Sequence, residues 1–349
     1  MRRAKLRFRA DMLLLTSLRE LFEMRVLVTG GSGYIGSATV RELEQNGHSI
    51  IVYDDLSTGH RKLSKGFELI EGDIADRSRI LPALKRVDAI IHFAASAYVG
   101  ESVTNPRKYF RNNIESALAL MDSVLESDVR IFVFSSSCAV YGAPQSLPIF
   151  ESSPKEPMNP YGATKLFFER VLSAYSVSHG LRFAALRYFN AAGTHPQGTV
   201  GEIHNPETHI VPLAIRAALG LTPPVTIFGQ SFDTPDGTCV RDFVHVADLA
   251  SAHVKALEYL GRGAPSVELN LGTGTGTSIM QLISEIETVS GRNVPHVYAQ
   301  PRPGDPPSLF ADIQKAKQTL DWQPKYNLTE IVAGALKWEE NLAEFLRQP

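Results

Sequence analysis

Short apolar segments alternate with helical patterns through the first half of this chain, and this alternation restricts the fold more than any other feature. The segments are apolar on both faces, as in parallel strands that helices cover on either side. Their residues are 25–29, 49–54, 67–70, 89–93, 130–134 and 182–188. Helical patterns occupy residues 34–46, 114–126 and 161–179. The alternation predicts an α/β fold built on a doubly wound parallel sheet.

A glycine run, Gly30, Gly33 and Gly36, follows the first predicted strand and opens a helix. Gly30 permits a tight turn, Gly33 lets backbone approach a pyrophosphate, and the helix N-terminus then faces the anion. Tight strand–helix turns need glycine even without a ligand, so the run alone is weak evidence. Its position in a strand–turn–helix unit nevertheless predicts a dinucleotide site of the Rossmann type.

Two carboxylates follow the next strands. Asp54 ends the second strand, where a carboxylate accepts hydrogen bonds from a ribose 2′-OH and repels a 2′-phosphate; this predicts NAD rather than NADP. The alternative is a turn residue beside Asp55. Asp73 follows the third strand and could reach an adenine edge, or could simply cap a helix.

Tyr161 and Lys165 are four residues apart on a predicted helix, so their side chains share one face. The ammonium group favours the phenolate, so a phenol with an ordinary pKa of about 10 could act as a base near neutral pH. Ser137, at the end of the fifth strand, could hydrogen-bond a reacting oxygen. Many helices carry such a Tyr–Lys pair by chance. Together with a dinucleotide site, however, it predicts hydride chemistry on an alcohol.

Composition excludes several classes of function. The net charge of −2 and pI near 6.6 give no basic footprint for nucleic acid. No segment approaches the roughly 18 apolar residues of a membrane helix. Cys138 and Cys239 have neither metal-ligand nor disulfide spacing, so we expect core cysteines, no metal site and a cytoplasmic protein. Residues 1–23 are arginine-rich and read as an extension before Met24, either a mis-assigned start or a transit peptide.

Several motifs resemble the extended short-chain dehydrogenase/reductase superfamily, and more closely the UDP-glucose 4-epimerase (UDP-galactose 4-epimerase) family. The matching segments are residues 24–36, 92–95, 99–103, 134–137, 140–142, 186–190, 237–245 and 303–305. The resemblance implies reversible inversion at C4 of a UDP-hexose, with hydride passing to a retained NAD and returning to a 4-keto intermediate. It also implies a homodimer built from paired helices.

The resemblance assigns roles by position. The catalytic residues would be Ser137, Tyr161 and Lys165. The NAD site would comprise Gly30, Gly33, Tyr34, Ile35, Gly36, Asp54, Asp73, Ile74, Phe93, Ala94, Ala95, Asn113, Tyr161, Lys165 and Tyr188. The substrate site would comprise Ser137, Tyr161, Asn190, His209, Ile210, Phe228, Arg241, Arg302, Asp305 and Leu309.

Within the substrate set, Arg241 and Arg302 would pair with the diphosphate, because a guanidinium matches phosphate oxygens in a planar fork. Asp305 would bind the uridine ribose. The alternative for each arginine is a solvated surface charge, which is more plausible for Arg302.

Three pocket positions differ among members of the family and leave the sugar open. Ala97 stands where some members carry lysine, and His209 where others carry asparagine. His209 could instead make a structural hydrogen bond to loop backbone. Leu309 falls where some members use tyrosine, and its smaller side chain suggests the hypothesis that an N-acetyl substituent fits.

The resemblance also implies two lobes. The NAD-binding Rossmann domain would span residues 24–190 plus about 232–268, and a smaller mixed α/β C-terminal lobe, residues about 191–231 plus 269–349, would bind the UDP-sugar.

Other functions remain open at this point. A sugar-nucleotide 4,6-dehydratase shares the Tyr–Lys pair, but it needs an acid and a base where this chain has Ser137, Cys138 and Ala139. A 4-epimerase of UDP-GlcNAc/GalNAc, UDP-xylose/arabinose or UDP-glucuronate differs only in the sugar pocket. A non-catalytic NAD-sensing protein of the same fold is disfavoured because the tyrosine, lysine and glycines are all present.

Overall fold

The computed structural model describes residues 23–302 and 305–347. Its strands are β1 (Arg25–Thr29), β2 (Ser49–Asp54), β3 (Glu68–Glu71), β4 (Ala89–His92), β5 (Ile131–Ser137), β6 (Arg182–Tyr188), β7 (Asn190–Ala192), β8 (Val225–Phe228), β9 (Val240–Arg241), β10 (Phe243–His245), β11 (Val267–Leu271), β12 (Thr277–Ser278), β13 (His296–Ala299) and β14 (Ser308–Leu309).

The helices are α1 (Tyr34–Gln45), α2 (Arg77–Leu84), α3 (Val99–Thr104), α4 (Pro106–Phe110), α5 (Ala117–Leu125), α6 (Pro160–His179), α7 (Ile210–Ala218), α8 (Val246–Gly261), α9 (Ile279–Ser290), α10 (Gln314–Leu320) and α11 (Leu328–Arg347). A π-helical turn, Arg111–Ser116, leads into α5.

Seven parallel strands form the central sheet in the order β11-β6-β5-β4-β1-β2-β3. Their side chains are buried on both faces: Val26, Leu27 and Val28, consecutive in β1, are all fully buried. The chain reverses direction across the sheet between β3 and β4, which places a crevice at the carboxyl ends of β1 and β4. The predicted doubly wound α/β fold is confirmed.

Most predicted elements lie within a few residues of their observed positions, but β11 was not predicted. Its sequence alternates apolar with polar residues, and Asn270 reads as a solvent-facing position. In the structure Asn270 is fully buried, accepts a hydrogen bond from the Tyr141 hydroxyl at 2.7 Å and donates one to the Ile149 carbonyl at 2.9 Å. The predicted boundary near residue 268 falls inside this strand; the division into two lobes stays a prediction.

The residues after β7 form smaller sheets, β10-β7, β12-β9-β14 and β13-β8. Their core joins α7, α9 and α11 through buried residues such as Ile215, Ile283 and Val332. A hydrogen bond from the Tyr34 hydroxyl to the Gly193 carbonyl, 2.6 Å, ties these elements to α1. The small sheets and their helices therefore pack beside α1, at the carboxyl edge of the central sheet.

Of the predicted extension 1–23, all residues except Glu23 lie outside the described part of the chain. Among the described helices, none combines the length and apolar character that spanning a bilayer requires.

Candidate active site

The catalytic side chains predicted from the sequence meet at the carboxyl end of β5. Ser137 is the last residue of that strand, and Tyr161 is the second residue of α6. The Asn159 side chain caps this helix by accepting a hydrogen bond from the Gly162 N–H at 2.9 Å. All three predicted residues, Ser137, Tyr161 and Lys165, are buried. The structure therefore brings the predicted triad together.

Gly162 allows this close approach of α6 to β5. A Cβ atom at Gly162 would lie 2.4 Å from the Ala139 carbonyl oxygen, in the short helical turn Cys138–Tyr141 that follows Ser137. A larger residue would push the first turn of α6 away from the strand end. The sequence analysis did not single out this glycine, because nothing local marks it as a contact.

The lysine ammonium is held by backbone. Lys165 Nζ donates to the Ser135 carbonyl at 2.7 Å and lies 5.7 Å from the Tyr161 ring centroid. Burial lowers the pKa of Lys165 to about 7, against an opposing effect of Glu169. Burial raises the pKa of Tyr161 to about 12, with a hydrogen bond to Ser137 acting the other way. In the protein alone the pKa of Tyr161 is therefore raised and not lowered, because desolvation outweighs the hydrogen bond to Ser137.

A buried ion pair fixes α6 against the sheet. Arg187 Nε and Nη2 donate to the two carboxylate oxygens of Glu169 at 2.8 and 2.6 Å, and both side chains are buried. The Ser136 hydroxyl donates to the same carboxylate at 2.6 Å. Because Glu169 lies four residues beyond Lys165, the face of α6 that carries the tyrosine and lysine is bound to both β5 and β6.

The glycine turn has the shape that a pyrophosphate requires. Gly30 adopts a φ of 72°, and a Cβ there would lie 2.6 Å from the Ala94 backbone nitrogen at the end of β4. Gly33 caps α1 without a side-chain hydrogen bond, and the first turn of α1 contains no acidic residue. The free N–H groups of that turn can therefore face an anion.

The Asp54 carboxylate binds backbone N–H groups of the glycine turn and of the loop that follows β2. Its Oδ2 accepts from the Ser32 N–H and its Oδ1 from the Leu56 N–H, both at 2.9 Å. Burial raises its pKa, and the two backbone donors oppose this shift. Each carboxylate oxygen keeps a lone pair, as a ribose contact would need.

Asp73 is exposed and accepts from the Ala75 N–H at 2.9 Å, whereas the side chain that caps α2 belongs to Asp76. The alternative reading of Asp73 as a helix cap is therefore wrong.

The other predicted cofactor residues lie around the same edge. Asn113 accepts from the Ser96 N–H at 2.8 Å and donates to the Thr164 hydroxyl at 3.2 Å, which links the loop after β4 to α6. Tyr188 shares a short hydrogen bond with Ser135. Those that are buried or half-buried around this edge are Tyr34, Ile35, Gly36, Ile74, Phe93, Ala94 and Ala95.

The predicted diphosphate and ribose residues form a second group. Leu309 in β14 pairs with Arg241 in β9, and Arg241 Nη2 lies 3.7 Å from Asp305 Oδ1. The exposed Arg302 side chain stacks its guanidinium carbon 4.0 Å from the Phe228 ring centroid. Burial raises the pKa of Cys239, while Arg241 and Arg302 lower it and Asp305 raises it. All three charged groups therefore act on the same buried thiol.

This second group borders the triad. Burial raises the pKa of Cys138, the residue after Ser137, to about 12, and the charge of Arg241 opposes this shift. Asn190 begins β7, and Ile210 begins α7. The carboxyl edge of the sheet therefore carries the predicted base and the glycine turn, and Arg241 acts on the residue that follows Ser137.

His209 precedes α7 but does not bond loop backbone through its ring. Its Nδ1 shares a short contact with the Glu202 carboxylate, in a cluster that also contains His204 and Glu207. This cluster was not predicted, because the spacing of its members along the chain does not match a familiar set of metal ligands.

Comparison with known proteins identifies the family. The model of the NAD dependent epimerase/dehydratase family matches residues 26–272. The UDP-glucose 4-epimerase of Rhizobium meliloti is 49% identical over 315 residues, which cover 90% of this chain and 96% of that protein.

Two solved structures are also similar. UDP-glucose 4-epimerase from Brucella ovis in complex with NAD has a TM-score of 0.88 and 46% identity, covering 90% of this chain and 97% of that one. UDP-glucose-4-epimerase from Stenotrophomonas maltophila, with bound NAD and formylated UDP-arabinopyranose, has a TM-score of 0.90 and 38% identity, covering 92% and 99%. The resemblance seen in the sequence is confirmed, and the chain belongs to the NAD-dependent epimerase/dehydratase family.

Proposed function

We propose that this protein is a UDP-glucose 4-epimerase, an isomerase that interconverts UDP-glucose and UDP-galactose. The observation that carries the proposal is the buried set Ser137, Tyr161 and Lys165 at the carboxyl end of β5, beside the glycine turn. Relatives named UDP-glucose 4-epimerase at 41–49% identity, each spanning 90% of this chain or more, support it.

NAD is the cofactor of this reaction. The uncapped first turn of α1 and the glycine turn fit a pyrophosphate, and the carboxylate of Asp54 fits a ribose diol. When bound in its oxidised form, NAD would supply a hydride acceptor for C4 of the sugar and a positive ring charge that favours the Tyr161 phenolate. Since an epimerisation leaves the sugar at the same oxidation level, the net redox change would be zero.

The protein's own residues move the proton and orient the sugar. The Tyr161 phenolate takes the proton of the 4-hydroxyl and gives it back at the end of the cycle. The Ser137 hydroxyl, whose hydrogen bond to Tyr161 lowers the pKa of that phenol, would donate to the phenolate or to the 4-oxygen of the sugar. The Lys165 ammonium, fixed by the Ser135 carbonyl, adds positive charge beside the tyrosine. Tyr161 therefore serves as base and then as acid.

The second group would hold the UDP moiety. Arg241 and Arg302 would neutralise a diphosphate, and Asp305, 3.7 Å from Arg241, would accept a hydrogen bond from the uridine ribose. Asn190, His209, Ile210 and Phe228 complete the proposed substrate site. Binding energy on the nucleotide, which does not react, then positions the sugar for chemistry at C4.

A second candidate is the 4-epimerase of another UDP-sugar. Leu309 is half-buried and pairs with Arg241, and its side chain is smaller than the tyrosine that some members of the family carry, which supports the hypothesis that an N-acetyl group fits. Equal failure with UDP-GlcNAc and UDP-GalNAc alongside rapid turnover of UDP-glucose would remove this candidate.

A homodimer in the cytoplasm completes the proposal. Exposed apolar residues on α3, α4 and α6 support an interface: Val103, Phe110 and Phe167 are 62%, 46% and 43% exposed. The three helices pack against one another. Both cysteines are free thiols, in keeping with a reducing compartment.

The decisive experiment is incubation of the purified protein with UDP-galactose, without added NAD, followed by separation of the products. We expect UDP-glucose to accumulate to an equilibrium mixture. UDP-GalNAc and UDP-arabinose in parallel reactions define the sugar range. No conversion of UDP-galactose even with NAD supplied would refute the proposal.

Tyr161→Phe tests the base. The phenylalanine keeps the packing but removes the proton-transferring hydroxyl, so we expect kcat to fall by about 100- to 10,000-fold. Bound NAD, measured by release and absorbance, should stay at the wild-type level. Tyr175→Phe, on the same helix and partly buried, is the matched control and should keep full activity. Wild-type rates in Tyr161→Phe would exclude its role as base.

A further inference from the structure

Four side chains between β7 and α7 place metal-ligand atoms together. Glu202, His204, Glu207 and His209 each offer one nitrogen or oxygen atom, and these atoms all lie within 4.8 Å of one another. His204 Nδ1 is 2.9 Å from Glu202 Oε1 and 3.6 Å from Glu207 Oε1, and His209 Nδ1 is 4.0 Å from Glu207 Oε1. Donors around a tetrahedral ion at 2.0–2.1 Å are separated by about 3.4 Å. The spread of distances brackets that value.

One carboxylate oxygen of the cluster lacks a hydrogen-bond partner. Within the described part of the chain, Glu207 Oε2 is buried without one, and the Glu207 side chain is only 3% exposed. Arg216 approaches Glu207 Oε2 only as an ion pair at 3.6 Å. Buried polar atoms of native proteins are nearly always satisfied, so Glu207 Oε2 indicates a further ligand at the cluster.

The charges around the cluster define what that ligand carries. Glu202, Glu207 and Glu339 contribute three carboxylates, and Arg216 donates to both oxygens of Glu339, at 2.7 and 3.0 Å. The arginine leaves two negative charges uncompensated in a buried setting. Either two protonated imidazoles or one divalent cation with neutral imidazoles balances them.

Aromatic packing fixes one ligand in position. The His204 ring meets Tyr34 and Tyr98 edge-on, with centroids 6.4 and 5.7 Å apart. The Tyr34 hydroxyl donates to the Gly193 carbonyl at 2.6 Å, so it is already engaged outside the cluster.

We propose that Glu202, His204, Glu207 and His209 form a site for one divalent transition-metal ion of the zinc class. Two imidazoles and two carboxylates are a ligand set that such ions accept. The site lies on the segment that joins β7 to α7 and contains no residue of the catalytic triad. It shares His209 with the substrate site proposed above.

Cobalt provides the test because tetrahedral Co²⁺ absorbs visibly and hydrated Co²⁺ barely does. The full chain, purified without a polyhistidine tag and dialysed against a chelator, is titrated with Co²⁺ and then with Zn²⁺. We expect one equivalent of Co²⁺ to give visible bands that Zn²⁺ removes, and Zn²⁺ to raise the melting temperature.

Two variants locate the site. His204→Gln and Glu207→Gln should each weaken binding by at least about 100-fold, since even partners of the ligands cost 10- to 100-fold. His179→Gln, an exposed histidine at the end of α6, is the control and should bind like wild type. Bound NAD and circular dichroism report folding independently of the metal; if one variant does not fold, the other decides.

The proposal fails if wild type gives no tetrahedral spectrum and no stoichiometric binding. The two protonated imidazoles then balance the carboxylates. It also fails if folded His204→Gln or Glu207→Gln binds as tightly as wild type. Failure of either kind leaves the epimerase proposal untouched, because UDP-galactose conversion is measured separately.

Discussion

Tyr161 and Lys165 lie one helical turn apart, yet the protein alone perturbs them in ways that oppose ionisation of both. Burial raises the pKa of Tyr161 to about 12 and lowers that of Lys165 to about 7. Sequence predicted the pair and its common face, because four-residue spacing fixes that face. It could not predict the depth of burial, which depends on residues from distant strands.

Gly30 gives a prediction at the same scale. Alanine at this position combines an unfavourable φ with a Cβ only 2.6 Å from the Ala94 nitrogen. We expect Gly30→Ala to lose NAD at purification and to unfold more easily than wild type. A left-handed backbone alone costs about 1–2 kcal/mol for a non-glycine residue.

Gly47→Ala separates the two causes. Gly47 also has a positive φ, 86°, but a Cβ there meets nothing within 4 Å. This control should show only the backbone cost, with NAD retained, as measured by denaturant unfolding and cofactor release. Equal losses of NAD in the two variants would contradict the role given to the close approach.

At the scale of elements, one residue of α8 organises the entry to α11. Asp248 Oδ1 accepts from the Lys325 N–H at 3.0 Å and Oδ2 from the Tyr326 N–H at 3.2 Å. Its carbonyl accepts from the Trp322 indole at 2.9 Å, and that indole is buried. Such long-range side-chain contacts were not predicted, because no local pattern records a partner more than seventy residues away.

We therefore expect Asp248→Asn to destabilise the protein by about 1–3 kcal/mol, because the new amide turns one acceptor into a donor facing an N–H. Burial raises the pKa of Asp248 to about 6, so the folded state holds this proton more tightly than the unfolded state. The wild type then loses stability as pH rises from about 4 to about 6, and the uncharged variant does not. The deficit of the variant should shrink over that range.

Urea unfolding at several pH values measures this deficit. Asp128→Asn, at an exposed position, should stay within about 0.5 kcal/mol of wild type throughout. If the stability deficit of Asp248→Asn instead grew as the pH rose, the pKa of Asp248 would not be raised in the folded state, and the prediction would be wrong.

At the scale of the whole molecule, the parallel sheet was predictable because its strands are apolar on both faces. Strand β11 and the small sheets β10-β7 and β12-β9-β14 were not, since their strands are short or alternate with buried polar residues such as Asn270. The catalytic and glycine-turn residues came from compact motifs. The cluster of Glu202, His204, Glu207 and His209 could be recognised only in the folded structure, where the segment between β7 and α7 brings the four side chains together.

At the scale of the whole molecule, we predict that two copies of the chain associate. Phe110→Glu places a charge in the exposed apolar surface of α3, α4 and α6, so we expect it to convert a wild-type dimer into a monomer. Sedimentation velocity measures the change. Leu221→Glu, at a position that is 63% exposed after α7, should stay dimeric. A monomeric wild type, or a dimeric Phe110→Glu, would exclude this surface as the interface.

The Glu169–Arg187 ion pair has a consequence for how such an enzyme changes its sugar preference. Because the pair holds α6 against two strands, we expect the Tyr161 hydroxyl to keep its position during the proposed reaction, so that the sugar presents its two faces by turning. We expect a change of sugar preference to require substitutions at pocket residues such as Leu309 and none in α6. Under this proposal, catalysis and sugar specificity depend on different parts of the chain.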